Sequence, residues 1–169
     1  MKVGIVVLYI LSVFFAFVGG IIYSIARQKE IVQIDTQRGD GTNKYISFFD
    51  LMDKWMRIKE DNKNLKIFFD ENAYERIAIY GLGKIGSHLV TELKKTNINI
   101  VYVIDKRADA LYINDIPVKT MNDPLENVDV VVVTAFFEFD SIKKDLKSKL
   151  ECPVISLEEI IDIVERREM

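Results

Sequence analysis

The chain opens on an unbroken apolar stretch. Val3–Ala26 reads VGIVVLYILSVFFAFVGGIIYSIA and holds no charged residue; fifteen of its members are Val, Ile, Leu or Phe. As a helix it would reach roughly 36 Å, enough to cross a hydrocarbon core of about 30 Å with some tilt. At about −0.4 kcal/mol each on an insertion scale, those fifteen residues supply about −6 kcal/mol. The pattern predicts a single transmembrane helix over residues 3–26. Ser24-Ile25-Ala26 also resembles a cleavage site, but the apolar run exceeds the usual core of a signal peptide. Residues 27–43 are polar and aperiodic, a linker with a flexible joint at Gly39-Asp40-Gly41.

Helical periodicity then returns. Tyr45, Phe48, Phe49, Met52, Trp55 and Met56 share one helical face after a cap at Thr42, widened by Leu51 and Ile58. A short second helix around Leu65–Asp70 completes an amphipathic adaptor over 44–75. The stripe is expected to pack on the domain behind it; the other reading gives its aromatic edge to a second subunit, a partner enzyme or the membrane surface.

From residue 76 the pattern alternates between strand and helix. Ile77–Tyr80 is a short apolar strand, followed by Gly81-Leu82-Gly83-Lys84-Ile85-Gly86 and a helix with Ile85, Leu89, Val90 and Leu93 inward and Glu92, Lys94 and Lys95 outward. Ile100–Ile104 is a second strand ending at Asp105. Ile116–Val118 is a short extended piece, and Asp123-Pro124 starts a helix, with proline at the first helical position. Asp129–Thr134 (DVVVVT) is a β-branched run suited to burial on both faces. Asp140 caps a helix with Ile142, Leu146 and Leu150 inward. Cys152–Ile155 is a fourth strand, and Ser156 with Glu159 forms a capping box for a last helix through Leu157, Ile160, Ile161 and Val164. The expected domain, residues 76–169, is a Rossmann-like α/β fold with a four-stranded parallel sheet of order 2-1-3-4, flanked by helices.

The chemistry follows from the glycine spacing. Gly81 permits a tight turn, Gly83 lets a diphosphate approach the backbone, and Gly86 lets the helix lie close to the sheet. Gly81, Gly83, Lys84, Ile85 and Gly86 would hold the diphosphate, with Leu82 in the same cofactor-binding turn, and the free amides and positive end of the helix from Lys84 would face the phosphates. Asp105, nineteen residues beyond Gly86, is placed for ribose hydroxyls. It favours a free 2′-hydroxyl, hence NAD over NADP, whereas Lys106 and Arg107 could hold a phosphate; a nucleoside-diphosphate sugar fits the same cradle. The other loop at the strand ends, TAFFEFD, supplies Thr134 and Glu138 as polar ligand contacts. Phe136, Phe137 and Phe139 either fold into the core or wall off a base, a sugar or a partner. His88 reads as an exposed helical histidine.

Composition narrows the classes. The net charge is −3, and Lys2 is the only base before Arg27, so the remainder carries −4. That balance disfavours nucleic acid as a partner. One cysteine and one histidine exclude an intramolecular disulfide, a cysteine-cluster metal site and a zinc finger, and no metal is expected. Lys2 and the amino terminus compete with Arg27, Lys29 and Arg38 for the cytoplasmic side, with the balance slightly towards a cytoplasmic C-terminal domain. No Ser/His/Asp set is available, and Asp105, Glu138 and Asp140 have simpler roles as ribose ligand, loop surface and helix cap. A self-contained catalyst is therefore not expected.

The stretch Lys54–Ile163 resembles small Rossmann-like proteins of bacterial capsule and exopolysaccharide biosynthesis, loosely grouped as nucleoside-diphosphate-sugar epimerase-like. The matching stretches are KWMRIKEDNKNL, IAIYGLGKIGSHLVTEL, VYVIDKRAD, VDVVVVTAFFEFDSI and CPVISLEEI. The order of glycine loop, ID, IPV and DVVVVT is also similar to the sugar-nucleotide-binding domain of bacillosamine-type acyltransferases. The resemblance implies a membrane-anchored nucleotide-binding module with an accessory or regulatory role in surface-polysaccharide assembly, as a homo-oligomer or beside the synthesis enzymes. Hexapeptide repeats and a Tyr-x-x-x-Lys pair after the third strand are lacking, so epimerase activity does not carry over. The alternatives are a sugar-nucleotide oxidoreductase or epimerase completed by a partner chain, and a membrane scaffold with a vestigial pocket.

Overall fold

The computed structural model describes residues 23, 43–108, 113 and 115–167. The expected transmembrane helix (apart from Tyr23, which is helical and exposed), the linker and the Thr42 cap lie outside the described residues. Among the described residues no helix is long and apolar enough to cross a membrane. The chain divides into two compact units, Met1–Ser47 and Phe48–Met169. In the first, residues 43–47 are helical. The helical run enters the second unit at Phe48, and its portion 48–60 is α1.

The second unit continues with α2 (Lys66–Glu71), β1 (Arg76–Tyr80), α3 (Lys84–Leu93), β2 (Asn99–Ile104), β3 (Val118–Lys119) and β4 (Val130–Val133). A 3-10 turn at Phe136–Glu138 leads into α4 (Phe139–Lys147), followed by β5 (Val154–Ser156) and α5 (Leu157–Glu165). The sheet is wholly parallel with order β3-β2-β1-β4-β5, an α/β architecture consistent with the Rossmann-like expectation. It has five strands rather than four. The extended piece near Pro117 becomes an edge strand, with Val103 opposite Val118 and Ile104 opposite Lys119.

Side-chain alternation along the strands builds two cores. Ile77, Ile79, Val103, Val130 and Val132 face α3, α5, α1 and α2, whereas Ala78, Tyr80, Tyr102, Ile104, Val131 and Val133 face α4. The helix expected after Asp123 does not form. The ten residues 120–129 must cross three strand spacings, about 14 Å, and return to the opposite end of the sheet. Ten helical residues span only about 15 Å, so an extended path is needed. Asp123 instead closes a turn, accepting from the Thr120 amide (2.6 Å) and hydroxyl (2.8 Å), which holds its carboxyl below the usual range. The Tyr102 hydroxyl, donating to the Glu126 carbonyl at 2.8 Å, pins this crossing strap over the second core.

Two further expectations are corrected. Asp140 does not cap α4: the helix begins one residue earlier, Glu138 holds the cap position, and no side chain bonds there. The buried face of α1 is Leu51, Trp55 and Ile58, while Phe48, Phe49 and Met56 are exposed. The expected stripe is split: Trp55 and, in part, Met52 pack on the domain beside Leu51 and Ile58, and the pairs Lys54 to Asp162 (2.6 Å) and Arg57 to Glu165 (3.2 Å), both to α5, border that buried face. Ser156 does cap α5, its hydroxyl accepting from the Glu158 amide at 3.2 Å, but the reciprocal Glu159 half of the expected box is not seen among the described residues.

Candidate functional site

The glycine turn sits at the carboxyl end of β1, the central strand, between the loops that follow β2 and β4. Gly81 has φ +96°, and its amide donates to the Ile104 carbonyl at 2.8 Å, tying the turn to β2. A Cβ on Gly81 would lie 2.6 Å from the Thr134 hydroxyl, and one on Gly86 would lie 2.0 Å from the Gly81 carbonyl oxygen. Gly81 is therefore glycine because of its positive φ and the Thr134 hydroxyl against it, and Gly86 because α3 packs directly against the turn. Gly83 differs. Its φ of −68° suits any residue, and a Cβ there would meet nothing within 4 Å.

Gly83 is the cap residue of α3, and no side chain bonds to that helix end. The first-turn amides of Lys84, Ile85 and Gly86 lack intrahelical acceptors by geometry, and no described group accepts from them. The Gly83 and Lys84 side of the turn is exposed, whereas Ile85 and Gly86 are buried. Open space at Gly83 over unsatisfied N–H groups at a positive helix end suits an anion.

Around it the predicted residues take distinct places. The Asp105 side chain, 12% exposed, accepts from the Leu82 amide at 2.7 Å and from the Arg107 amide at 2.9 Å. It thus fastens the glycine turn to the end of β2, and its two oxygens keep further lone pairs. The Arg107 side chain is exposed and 3.9 Å from the same carboxylate. Lys106 reaches across the end of β1 to pair with Glu138 at 3.3 Å, both side chains being exposed, and that partner raises the lysine pKa. Beneath them burial raises the Tyr80 pKa, with Lys106, Glu138 and Asp105 all close enough to influence it.

Thr134 is buried, and its hydroxyl bonds with the carbonyl oxygens of Gly81 (2.8 Å) and Tyr80 (3.1 Å). Its place is that of a clamp under the turn. The phenylalanines divide between roles: Phe136 packs on the core shared with α3, and Phe139 on the core beneath α4. Phe137 remains 48% exposed, its ring centroid 4.2 Å from that of Phe136. One aromatic side chain of this loop is left for a ligand or partner.

Glu92 does not point outward as expected, because α1 and the Leu65 turn cover it. Its side chain is only 10% exposed and accepts from the Trp55 indole (2.8 Å) and the Leu65 amide (2.7 Å), and pairs with Lys59. A separate groove of about 490 Å³ lies nearby, between α1 and α3, rather than at the strand ends. His88 is exposed as expected and stands edge-on to Trp55, with 6.5 Å between centroids. The unsatisfied amides lie at the glycine turn, apart from this groove. No protein-family model, curated protein or solved structure matches this chain.

Proposed function

We propose that the 76–169 domain binds a nucleotide diphosphate, NAD(H) or a nucleoside-diphosphate sugar, and serves as a membrane-anchored accessory or regulatory module in bacterial surface-polysaccharide synthesis. The observation that carries the binding reading is Gly83, whose missing side chain neither the backbone nor the packing requires. Room for a close-approaching phosphate explains a glycine there. The amides of Gly83, Lys84, Ile85 and Gly86 would hold the diphosphate, and Asp105 the ribose. Phe137 would flank the other end. The bound group would bring its own redox or glycosyl chemistry; the chain's residues bind and orient it.

The pathway and the membrane anchor over residues 3–26 rest on the sequence resemblance and on hydropathy. The cytoplasmic side for the domain rests on the slight excess of basic residues after the apolar segment and on a nucleotide ligand being cytosolic. Calorimetry on the full chain with NAD(H), NADP(H) and UDP-sugars should show saturable binding that Gly83→Val abolishes, because a branched side chain would fill the phosphate space. Equal affinity in the variant would put the ligand elsewhere, and absence of binding by every candidate would remove the proposal.

A further inference from the structure

α1 buries one apolar line and leaves another without a partner. Leu51, Trp55 and Ile58 are covered by the domain. Phe49, Met52 and Met56 run beside that face, Phe49 being 70% exposed, Met56 58% exposed and Met52 partly buried. Their spacing of three and four residues keeps them in line along a helix, the arrangement by which two helices share a seam. Folding of this unit does not call for large apolar groups at exposed positions, and contiguous ones mark an interaction surface. Next to the seam lies the 490 Å³ groove, walled by Met52, Trp55 and Met56 from α1, by His88 and Thr91 from α3 and by Lys95 from the turn after it.

We infer that a second copy of this chain occupies that groove, its α1 antiparallel to the first about a two-fold axis at Met52. A two-fold contact requires one patch to carry both the protrusion and the recess. α1 meets that requirement: Phe49 stands three residues before Met52, and Met56 stands four after it. Antiparallel packing sets each Phe49 over the other copy's Met56 and each Met52 beside its counterpart. Phe49 then enters the recess beside Trp55. The charges match as well. Asp50 borders Phe49 and is exposed, whereas Asp53 is already paired with Arg57 at 3.0 Å; Lys95, on the groove rim, has no carboxylate partner among the described residues. Covering Phe48, Phe49, Met52, Met56 and the groove walls in both copies removes on the order of 1,000 Å², the size at which specific association begins.

The test is cysteine cross-linking of the full chain in a Cys152→Ser background. Met52→Cys, next to the axis, should give a disulfide-linked dimer on mild oxidation, whereas Lys147→Cys on α4 should remain monomeric. Adding Phe49→Glu to Met52→Cys should lower the cross-linked fraction about tenfold, the effect of losing a central anchor, with an unchanged circular dichroism spectrum. Cross-linking no greater than at Lys147→Cys, or insensitive to Phe49→Glu, would overturn the inference. So would labelling of Phe49 and Met56 by a photoreactive phospholipid in vesicles with no cross-link forming at position 52, since the face would then be a membrane contact.

Discussion

Gly83 and Gly86 share a motif and stand three residues apart, but substitution should affect them in opposite ways. A Cβ at Gly86 would meet backbone at 2.0 Å, so Gly86→Ala must force α3 away from the turn. Its expected cost is about 2–4 kcal/mol, read as a lower urea midpoint. Gly83→Val meets open space and should change stability by about 1 kcal/mol or less while removing nucleotide binding. The motif's function as read from sequence thus separates, by geometry, into two positions that shape the protein and one free to serve a ligand. Tyr102 supplies a second residue-scale test. Burial pushes its phenol from 10.0 up to about 12, so folding favours the neutral form. The unfolded chain releases that proton first, so the stabilisation is complete below pH 10 and is lost as pH rises through 12. Tyr102→Phe should flatten the alkaline fall in stability, while costing about 1 kcal/mol at neutral pH for the lost bond to Glu126.

Among the elements, α1 and the crossing strap best show how context overrides local pattern. The helical period over Tyr45–Met56 was correct, but the buried side was not legible, because both flanks of the helix carry large apolar groups. Burial of Leu51, Trp55 and Ile58 against distant elements decides the rotation, and Lys54 and Arg57 add pairs to acids on α5, more than 100 residues away in sequence. Glu92 fixes the same helix from α3. Glu92→Ala would leave the Trp55 indole N–H and the Leu65 amide without acceptors and release Lys59. A loss of about 2–4 kcal/mol is expected, measured by urea denaturation, together with faster hydrogen exchange at Leu65. The strap from Thr120 to Asp129 was predicted as a helix from Asp123-Pro124, a good local start signal. The distance to be spanned decided otherwise, and the same constraint lets Val118 and Lys119 join β2 as an edge strand.

For the whole molecule, the proposed anchor and the proposed ligand make one joint demand: the domain must face the cytoplasm. A reporter fused after Met169 should be active only as a cytoplasmic fusion, and an externally active reporter would separate the domain from the cell's nucleotide pool. Alternating β-branched strands, the order glycine turn, helix, acid-ended strand, and the Ser156 cap were all legible, because each depends on groups only a few residues apart or on a period of the chain itself. The roles of Asp105 and Thr134 were only half legible. Their placement at strand ends could be read, but not that Asp105 bonds to the Leu82 amide or that Thr134 supports the turn from below. Sequence alone determined the parallel α/β class and the residues gathered at its carboxyl edge. Only the tertiary structure decided the fifth strand, the face that α1 buries and the glycine left free for a ligand, because those depend on which distant side chains meet once the sheet has closed.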